Sequence, residues 1–259
     1  MEELKGKVVL VTGGSRGIGR SIALAFAAQG SYVVIIGRTQ ASLERVAEEI
    51  RRLGTEALPL ICDITQKESV EALKSGITNQ LGPVQLLINN AGIAPAASFL
   101  EMDDRLWDDV LRTNLTGTYH CCKVFLPEMV KSGWGRIINI ASTVAKVAYS
   151  HISAYVTSKH AVLGLTRALA LEVARSGVTV NAICPGYVDT ELTEGNARTM
   201  AEKTGKEREK ILGFFKNSSP QNRLIDPEEV ASLAVMLASD SAKGITGQAI
   251  NVDGGAVMV

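Results

Sequence analysis

Neither charge is in surplus in this chain: Lys plus Arg and Asp plus Glu number 27 each among 259 residues, and the formal net charge is zero. Without a basic tail or stripe a nucleic-acid partner is disfavoured, because phosphate backbones are held by clustered Lys and Arg. Cysteine is scarce. Cys62, Cys121, Cys122 and Cys184 include no Cys-x-x-Cys pair and no Cys/His spacing suited to zinc, so they read as buried thiols in a reducing compartment, and no metal is expected. No apolar run approaches the ~18 residues of a membrane span, and the opening Met1-Glu-Glu-Leu-Lys-Gly-Lys7 lacks the apolar core of a secretion signal. A soluble cytoplasmic protein with no membrane partner is expected. Aromatics make up only 5% of the chain, which predicts an aliphatic core.

What is present is 46% apolar residues, 24 glycines and a steady alternation of short β-branched runs with stretches of helical period. Apolar runs at 8–12, 32–36, 57–62, 85–89, 136–140, 179–183 and 248–252 read as strands buried on both faces. Helical segments are expected at 17–29, 41–53, 67–80, 103–130, 155–174 and 227–238. The expected product is a single α/β domain, a doubly wound parallel sheet of Rossmann type with helices on both faces. Only 191–219 breaks the rhythm, with a charged first part followed by Ile211-Leu-Gly-Phe-Phe215. It reads as a helical insertion acting as a substrate lid, the alternative being a solvated surface excursion.

Directly after the first strand comes Thr12-Gly-Gly-Ser-Arg-Gly-Ile-Gly19, opening into a helix. A glycine turn at a helix N-terminus brings free amides and a positive dipole end to a phosphate, so Gly13, Ser15, Arg16, Gly17, Ile18 and Gly19 are candidate nucleotide contacts. The second strand ends Ile36-Gly-Arg-Thr39, without the acid that would bind a ribose diol. Arg38, Thr39 and Arg16 instead suit a 2′-phosphate, which favours NADP(H) over NAD(H). Asp63 reads either as an acceptor for an adenine amino group or as a helix N-cap, and Ile64 follows it. In Leu86-Leu-Ile-Asn-Asn-Ala-Gly92, Asn89 is expected to brace the sheet backbone while Asn90, Ala91 and Gly92 contact the cofactor.

Strand five ends Asn139-Ile-Ala-Ser142, and the next helix carries Tyr155 and Lys159 four residues apart on one face. An adjacent ammonium and an oxidised nicotinamide both favour the ionised phenol. Tyr155 is then a general acid for carbonyl reduction, Ser142 a hydrogen-bond partner of the carbonyl oxygen, and Lys159 a tuning group that also holds the nicotinamide ribose.

Thr12-Gly-x-x-x-Gly-x-Gly19, Asn89-Asn-Ala-Gly92, Ser142, Tyr155-x-x-x-Lys159 and Pro185-Gly186, in this order and spacing, resemble the short-chain dehydrogenase/reductase family of classical type across nearly the whole chain. The resemblance implies a seven-stranded sheet of order 3-2-1-4-5-6-7 and hydride transfer between NAD(P)(H) and a carbonyl or alcohol. It also implies a fourth catalytic residue, Asn114 of Arg112-Thr-Asn-Leu115, holding a water that links Lys159 to solvent. By the same similarity Pro185, Gly186, Val188 and Thr190 flank the nicotinamide, with Val188 at the carboxamide and Thr190 at the carboxamide or diphosphate. Asn251-Val-Asp-Gly-Gly255 is structural and an oligomer contact, since relatives form dimers or tetramers through the helices at 103–130 and 155–174.

Within the family the chain is most similar to 3-oxoacyl-carrier-protein reductases, which implies an acyl thioester or other small carbonyl or alcohol as substrate partner. Tyr155-Val-Thr-Ser-Lys-His-Ala161 is also similar to NAD-dependent 3-hydroxybutyrate dehydrogenases. Pocket candidates are Thr143, Val144, Tyr149, His151 and Tyr187, a mixed polar and apolar set. His120 and His160 receive no role. A reading of another class is a nucleotide-binding sensor or scaffold without catalysis.

Overall fold

In the computed structural model, which describes residues 2–259, the chain runs β1 (Val8–Thr12), α1 (Gly17–Ala28), β2 (Tyr32–Gly37), α2 (Gln40–Arg52), β3 (Ala57–Ile61), α3 (Lys67–Leu81) and β4 (Leu86–Asn89). It continues with α4 (Asp104–Leu111), a π-helical turn (Arg112–Thr116), α5 (Gly117–Ser132), β5 (Gly135–Ile140), α6 (Ser153–Glu172) and β6 (Val178–Pro185). The last elements are α7 (Glu191–Thr204), α8 (Arg208–Asn217), α9 (Pro227–Ala238) and β7 (Ala249–Val252).

β1 is buried along its length, and its side chains alternate between two cores. Val9 and Val11 face one, with α1, α2 and α9; Val8 and Leu10 face the other, with α3 and α5. β2 divides in the same way, Val33 and Ile35 against Val34 and Ile36. That split is what a strand covered on both faces requires.

The described strands form one parallel seven-stranded sheet of order β3-β2-β1-β4-β5-β6-β7. The chain leaves β1 in both directions, so a crevice opens beyond the carboxyl ends of β1 and β4. The edge strands depart from the expected two-sided burial: β3 and β7 are only partly covered, because each has a neighbour on one side alone. Among the described residues no helix is long and apolar enough to cross a membrane.

The helix expected as one piece over 103–130 is interrupted. Asp103 caps α4 by accepting from the Leu106 amide at 2.7 Å. At Arg112–Thr116 the ladder widens, and the Gly117 amide bonds the Arg112 carbonyl five residues back. The segment 191–219 is helical, as two helices separated at Gly205, which ends α7 in the left-handed conformation (φ 68°). The two pack on each other around Ala197, Ile211 and Phe215. An Arg208–Glu194 ion pair adds a surface tie.

Candidate active site

The turn after β1 is built by close approach. A Cβ at Gly19 would stand 2.3 Å from the Gly13 carbonyl oxygen, and Gly13 itself has φ +64°, so neither position accepts a side chain without movement. Arg16 precedes α1 with no side-chain cap, so the first-turn amides point into the crevice without a capping oxygen. Thr190 lies against this turn: a Cβ at Gly17 would meet its Cγ2 at 3.1 Å. Thr190 also caps α7 by accepting from the Thr193 amide. At the end of β2, Ser15 Oγ would stand 3.8 Å from a Cβ at Gly37, bringing Ser15 beside exposed Arg38 and Thr39. Arg38 and Arg16 have no ion-pair partner among the described residues.

Two sequence expectations change here. Asn89 does not brace the sheet backbone. Its Nδ2 donates to Asn139 Oδ1 at 2.8 Å and to Cys122 Sγ at 3.4 Å, because its side chain lies between β4 and β5 rather than beyond them. Asn90 does the bracing instead: its Nδ2 donates to the Thr12 and Gly13 carbonyls at 2.9 and 3.2 Å. Thr12 Oγ1 accepts from the Asn90 and Ala91 amides, both at 2.9 Å. Asp63 is not the cap of α3, which begins after Gln66; its Oδ1 accepts from the Thr65 amide at 3.0 Å in a local turn that leaves the carboxylate exposed. Ile64 sends its side chain into the core against Gly117, and its carbonyl is held at 3.0 Å by His120 Nδ1, a residue the sequence left without a role.

Ser142, Asn114, Tyr155 and Lys159 do converge. Ser142 opens a short turn (Thr143–Ala145), accepts from the Val144 amide at 3.3 Å, and has its hydroxyl near enough to the Tyr155 phenol to pull that group's pKa down. Lys159 is 5% exposed and donates to the Ile140 carbonyl at 2.7 Å. Gly92 connects the remaining pair, since a Cβ there would stand 3.1 Å from Asn114 Oδ1 and 3.7 Å from Lys159 Nζ. Asn114 Oδ1 accepts from the Ile93 amide at 2.8 Å, while Nδ2 donates to the Ile93 carbonyl at 2.9 Å and to Ser158 Oγ at 3.0 Å. With both amide hydrogens committed, the side chain has none left to donate to a relay water.

Electrostatically the site differs from the sequence expectation. Burial pushes the Tyr155 phenol up to about 12, outweighing the Ser142 hydrogen bond that pulls it down. Burial likewise pushes Lys159 down to about 8. Desolvation disfavours both charged forms, and the cation does not lower the phenol in the protein by itself. A neutral phenol beside a lysine that titrates near neutrality can give a proton to an oxyanion and be resupplied.

Around this centre, Thr143 and Val144 are buried at 7% and 5% exposure, whereas Tyr149 stands 49% exposed. His151 is exposed and takes φ +65°, and its carbonyl accepts from the Ala97 amide at 2.8 Å. Tyr187 stacks on Phe215 of α8, ring centroids 4.2 Å apart, which joins the loop after β6 to the two-helix excursion. Lys203 of α7 reaches across to the Ala96 carbonyl at 2.9 Å. Pro185 and Gly186 are held against β7, where the Gly186 amide donates to the Val252 carbonyl at 3.0 Å, and Val188 is buried. Asp253 closes the turn after β7 by accepting from the Gly255 and Val257 amides. His160 lies on the exposed face of α6, away from the centre. The four cysteines are free and buried, and among the described residues no group of three or more His, Cys, Asp or Glu could hold a metal ion.

Comparison with known proteins agrees with this geometry. The family model described as short chain dehydrogenase matches residues 7–201. The chain is 39% identical to the 3-oxoacyl-[acyl-carrier-protein] reductase FabG of Pseudomonas aeruginosa, over 98% of this chain and 99% of that one. It is 37% identical to the D-beta-hydroxybutyrate dehydrogenase of Cupriavidus necator, over 97% of this chain and 98% of that one. Among solved structures, a variant of the actinorhodin polyketide ketoreductase with NADPH superposes with a TM-score of 0.93 at 38% identity, covering 96% of this chain and 97% of that one.

Proposed function

The chain belongs to the short-chain dehydrogenase family, whose members are NAD(P)-dependent oxidoreductases acting on CH–OH and keto groups, and from that premise we propose that it is an NADPH-dependent reductase of a 3-oxoacyl thioester, carried on acyl carrier protein or coenzyme A. The observation that carries the reading is the convergence of Ser142, Tyr155 and Lys159 beside the glycine turn. The similarity to FabG supports the substrate class.

The residues fit a dinucleotide. The Gly13–Gly19 turn and uncapped α1 suit the diphosphate, with Thr190 alongside. Arg38, Thr39, Ser15 and Arg16 would take the 2′-phosphate, and Asp63 with the Ile64 main chain the adenine. Ala91 and Gly92, with Tyr155 and Lys159, would hold the nicotinamide ribose, and the segment from Pro185 to Thr190 the carboxamide. Bound there, the reduced dinucleotide supplies a hydride to the carbonyl carbon.

Everything else is the work of the chain. Ser142 and Tyr155 hold the carbonyl oxygen by two hydroxyl hydrogen bonds, which strengthen as that oxygen gains charge. The phenol, kept neutral by burial, passes its proton to the oxygen. Lys159, with a pKa near 8, returns a proton toward the phenol and holds the ribose. Since the Asn114 amide is committed to Ile93 and Ser158, a water between Lys159 and solvent would be held by main-chain oxygens of its π turn. Tyr149, His151 and Tyr187 line the acyl pocket with Thr143 and Val144, and α7–α8 is its lid.

The assembly is proposed as a homodimer or homotetramer through α5 and α6. Leu171 of α6 is 82% exposed and Tyr119 of α5 47% exposed. A Cβ at Gly164, mid-helix in α6, would meet nothing within 4 Å, so nothing inside the chain demands a glycine there. A close helix from a second copy would.

Titration with NADPH and NADH at one salt concentration, followed by a panel of ketones and 3-oxoacyl thioesters, tests the reading. Strong NADPH preference with thioester reduction supports it. NADH preference with 3-hydroxybutyrate oxidation overturns it in favour of the activity for which the Cupriavidus necator relative is named.

A further inference from the structure

Within the Tyr155–Lys159 turn stands Ser158, fully buried at 0% exposure and without a part in the chemistry above. We propose that Ser158 is a positioning residue that ties the loop after β4 to the helix bearing Tyr155 and Lys159.

A serine hydroxyl has one hydrogen to give, and here it goes to the Tyr155 carbonyl at 2.8 Å. Only lone pairs remain to face Asn114, which must therefore present a donor, and its Nδ2 does so at 3.0 Å. The same Nδ2 donates to the Ile93 carbonyl at 2.9 Å, and Oδ1 accepts from the Ile93 amide at 2.8 Å. A closed chain of four hydrogen bonds thus runs from Ile93 through Asn114 and Ser158 to Tyr155, joining a loop, the π turn and α6. The bond between Asn114 and Ser158 at the middle of this chain is buried, where such bonds reinforce one another and an orphaned member is costly.

The π turn serves this chain. An α-helix advances by about 100° per residue, so the extra residue at Arg112–Thr116 re-aims Asn114 toward Ile93 and Ser158 together. At the other end, the Ser158 hydroxyl is bonded to the carbonyl three residues back, across the turn of α6 that runs from Tyr155 to Ser158. Tyr155 precedes Ser158 by three positions and Lys159 follows it by one, so both reacting side chains inherit that turn. Gly92 closes the loop of cause, lying between Asn114 Oδ1 and Lys159 Nζ.

The experiment compares Ser158→Ala, Asn114→Ala and the double variant with the wild type. Two readings are taken: steady-state kinetics, and amide hydrogen exchange of the peptide containing Ile93. With the Asn114 amide partly unpaired, Ile93 exchange is expected to quicken about tenfold, and kcat to fall about tenfold while KM stays within about twofold. Because Asn114 and Ser158 belong to one chain of hydrogen bonds, the kinetic penalty of the double variant is expected to fall well short of the product of the two single penalties. Unchanged Ile93 exchange, or kinetic penalties that multiply in the double variant, overturns the proposal. Should Ser158→Ala not fold, Ser158→Cys keeps the volume with a weaker acceptor, and must still quicken Ile93 exchange. The kinetic arm rests on the ketone-reductase reading, whereas the exchange arm does not. A wild type that reduces no ketone sinks that reading while quickened Ile93 exchange still upholds the tether.

Discussion

Lys159 turns its ammonium onto the main-chain oxygen of Ile140, 2.7 Å away, and stands 5.7 Å from the centroid of the Tyr155 ring. The cation is thus anchored to the end of β5, two residues before Ser142, rather than paired to the phenol. Its position is fixed by the sheet, at one stable point beside the phenol.

A pH dependence follows. Lys159 has its pKa lowered to about 8 by burial, so it is cationic below that pH and neutral above it. Proton resupply during reduction needs the cationic form. The steady-state turnover number for reduction is expected to be level below about pH 8 and to fall as pH rises through it, while Tyr155, pushed up to about 12, starts each cycle protonated only if it has been resupplied. A rate that stays level to pH 10 would remove Lys159 from the proton path.

Replacing Tyr155 by Phe removes one buried hydroxyl and leaves the ring. Loss of a general acid costs roughly 10²–10⁴-fold in turnover. Kinetics and NADPH titration on the same preparation check it: kcat is expected to fall in that range with NADPH affinity nearly unchanged. Equal losses in binding and turnover would make the residue a binding group only.

Arg38 stands exposed with no ion-pair partner among the described residues, so its replacement leaves no buried orphan behind. Arg38→Ser is expected to weaken NADPH by about 10- to 100-fold, the loss of one or two charge-assisted hydrogen bonds, and NADH by less than about twofold. Calorimetric titration of both cofactors decides. Equal weakening would mean that the guanidinium contacts something other than the 2′-phosphate.

The sheet was legible because two-sided burial writes itself as unbroken apolar runs, and the order of motifs along the chain carried the reacting side chains. What was not legible are contacts that depend on which strand lies beside which. Asn89 and Asn90 are chemically identical neighbours, yet one meets Asn139 and the other the glycine turn, because successive strand residues face opposite ways. The π turn was hidden in the same manner: one extra residue barely disturbs a hydrophobic period, and the bond that accompanies it, from the Ile93 amide to Asn114 Oδ1, is tertiary. The phenol's pKa departs from expectation because sequence supplies the adjacent cation but not the depth of burial.

Gly164 carries the prediction about assembly. Gly164→Leu adds a side chain where this chain has open space, so a monomer would accept it and gain helix propensity of about 1 kcal/mol. A helix from a second copy would not. Light scattering is expected to show a smaller particle for the variant than for the wild type, with an intact circular dichroism spectrum. An unchanged particle mass would move the interface off α6.

Near the amino end of β5, Arg136 is 2% exposed, a charged residue in a run otherwise read as apolar. Its guanidinium donates to the Gly135 and Gly177 carbonyls at 2.9 and 3.2 Å and to Asp240 Oδ1 at 3.1 Å, while the Trp134 ring lies 4.4 Å from its Cζ. Trp134 Nε1 donates to the same Asp240 oxygen at 3.0 Å. Asp240→Ala strands a buried cation, while the exposed indole N–H can turn to water; Arg136→Met removes the charge and leaves an apolar stem in its place. Breaking a fully buried pair from one side costs ~3–5 kcal/mol; with Asp240 57% exposed, about 2 kcal/mol is expected for Asp240→Ala. Arg136→Met should cost less, because the buried charge goes with the side chain. Urea unfolding of the two variants checks the ranking, and a larger loss for Arg136→Met would mean that the carbonyl contacts, not the stranded charge, dominate.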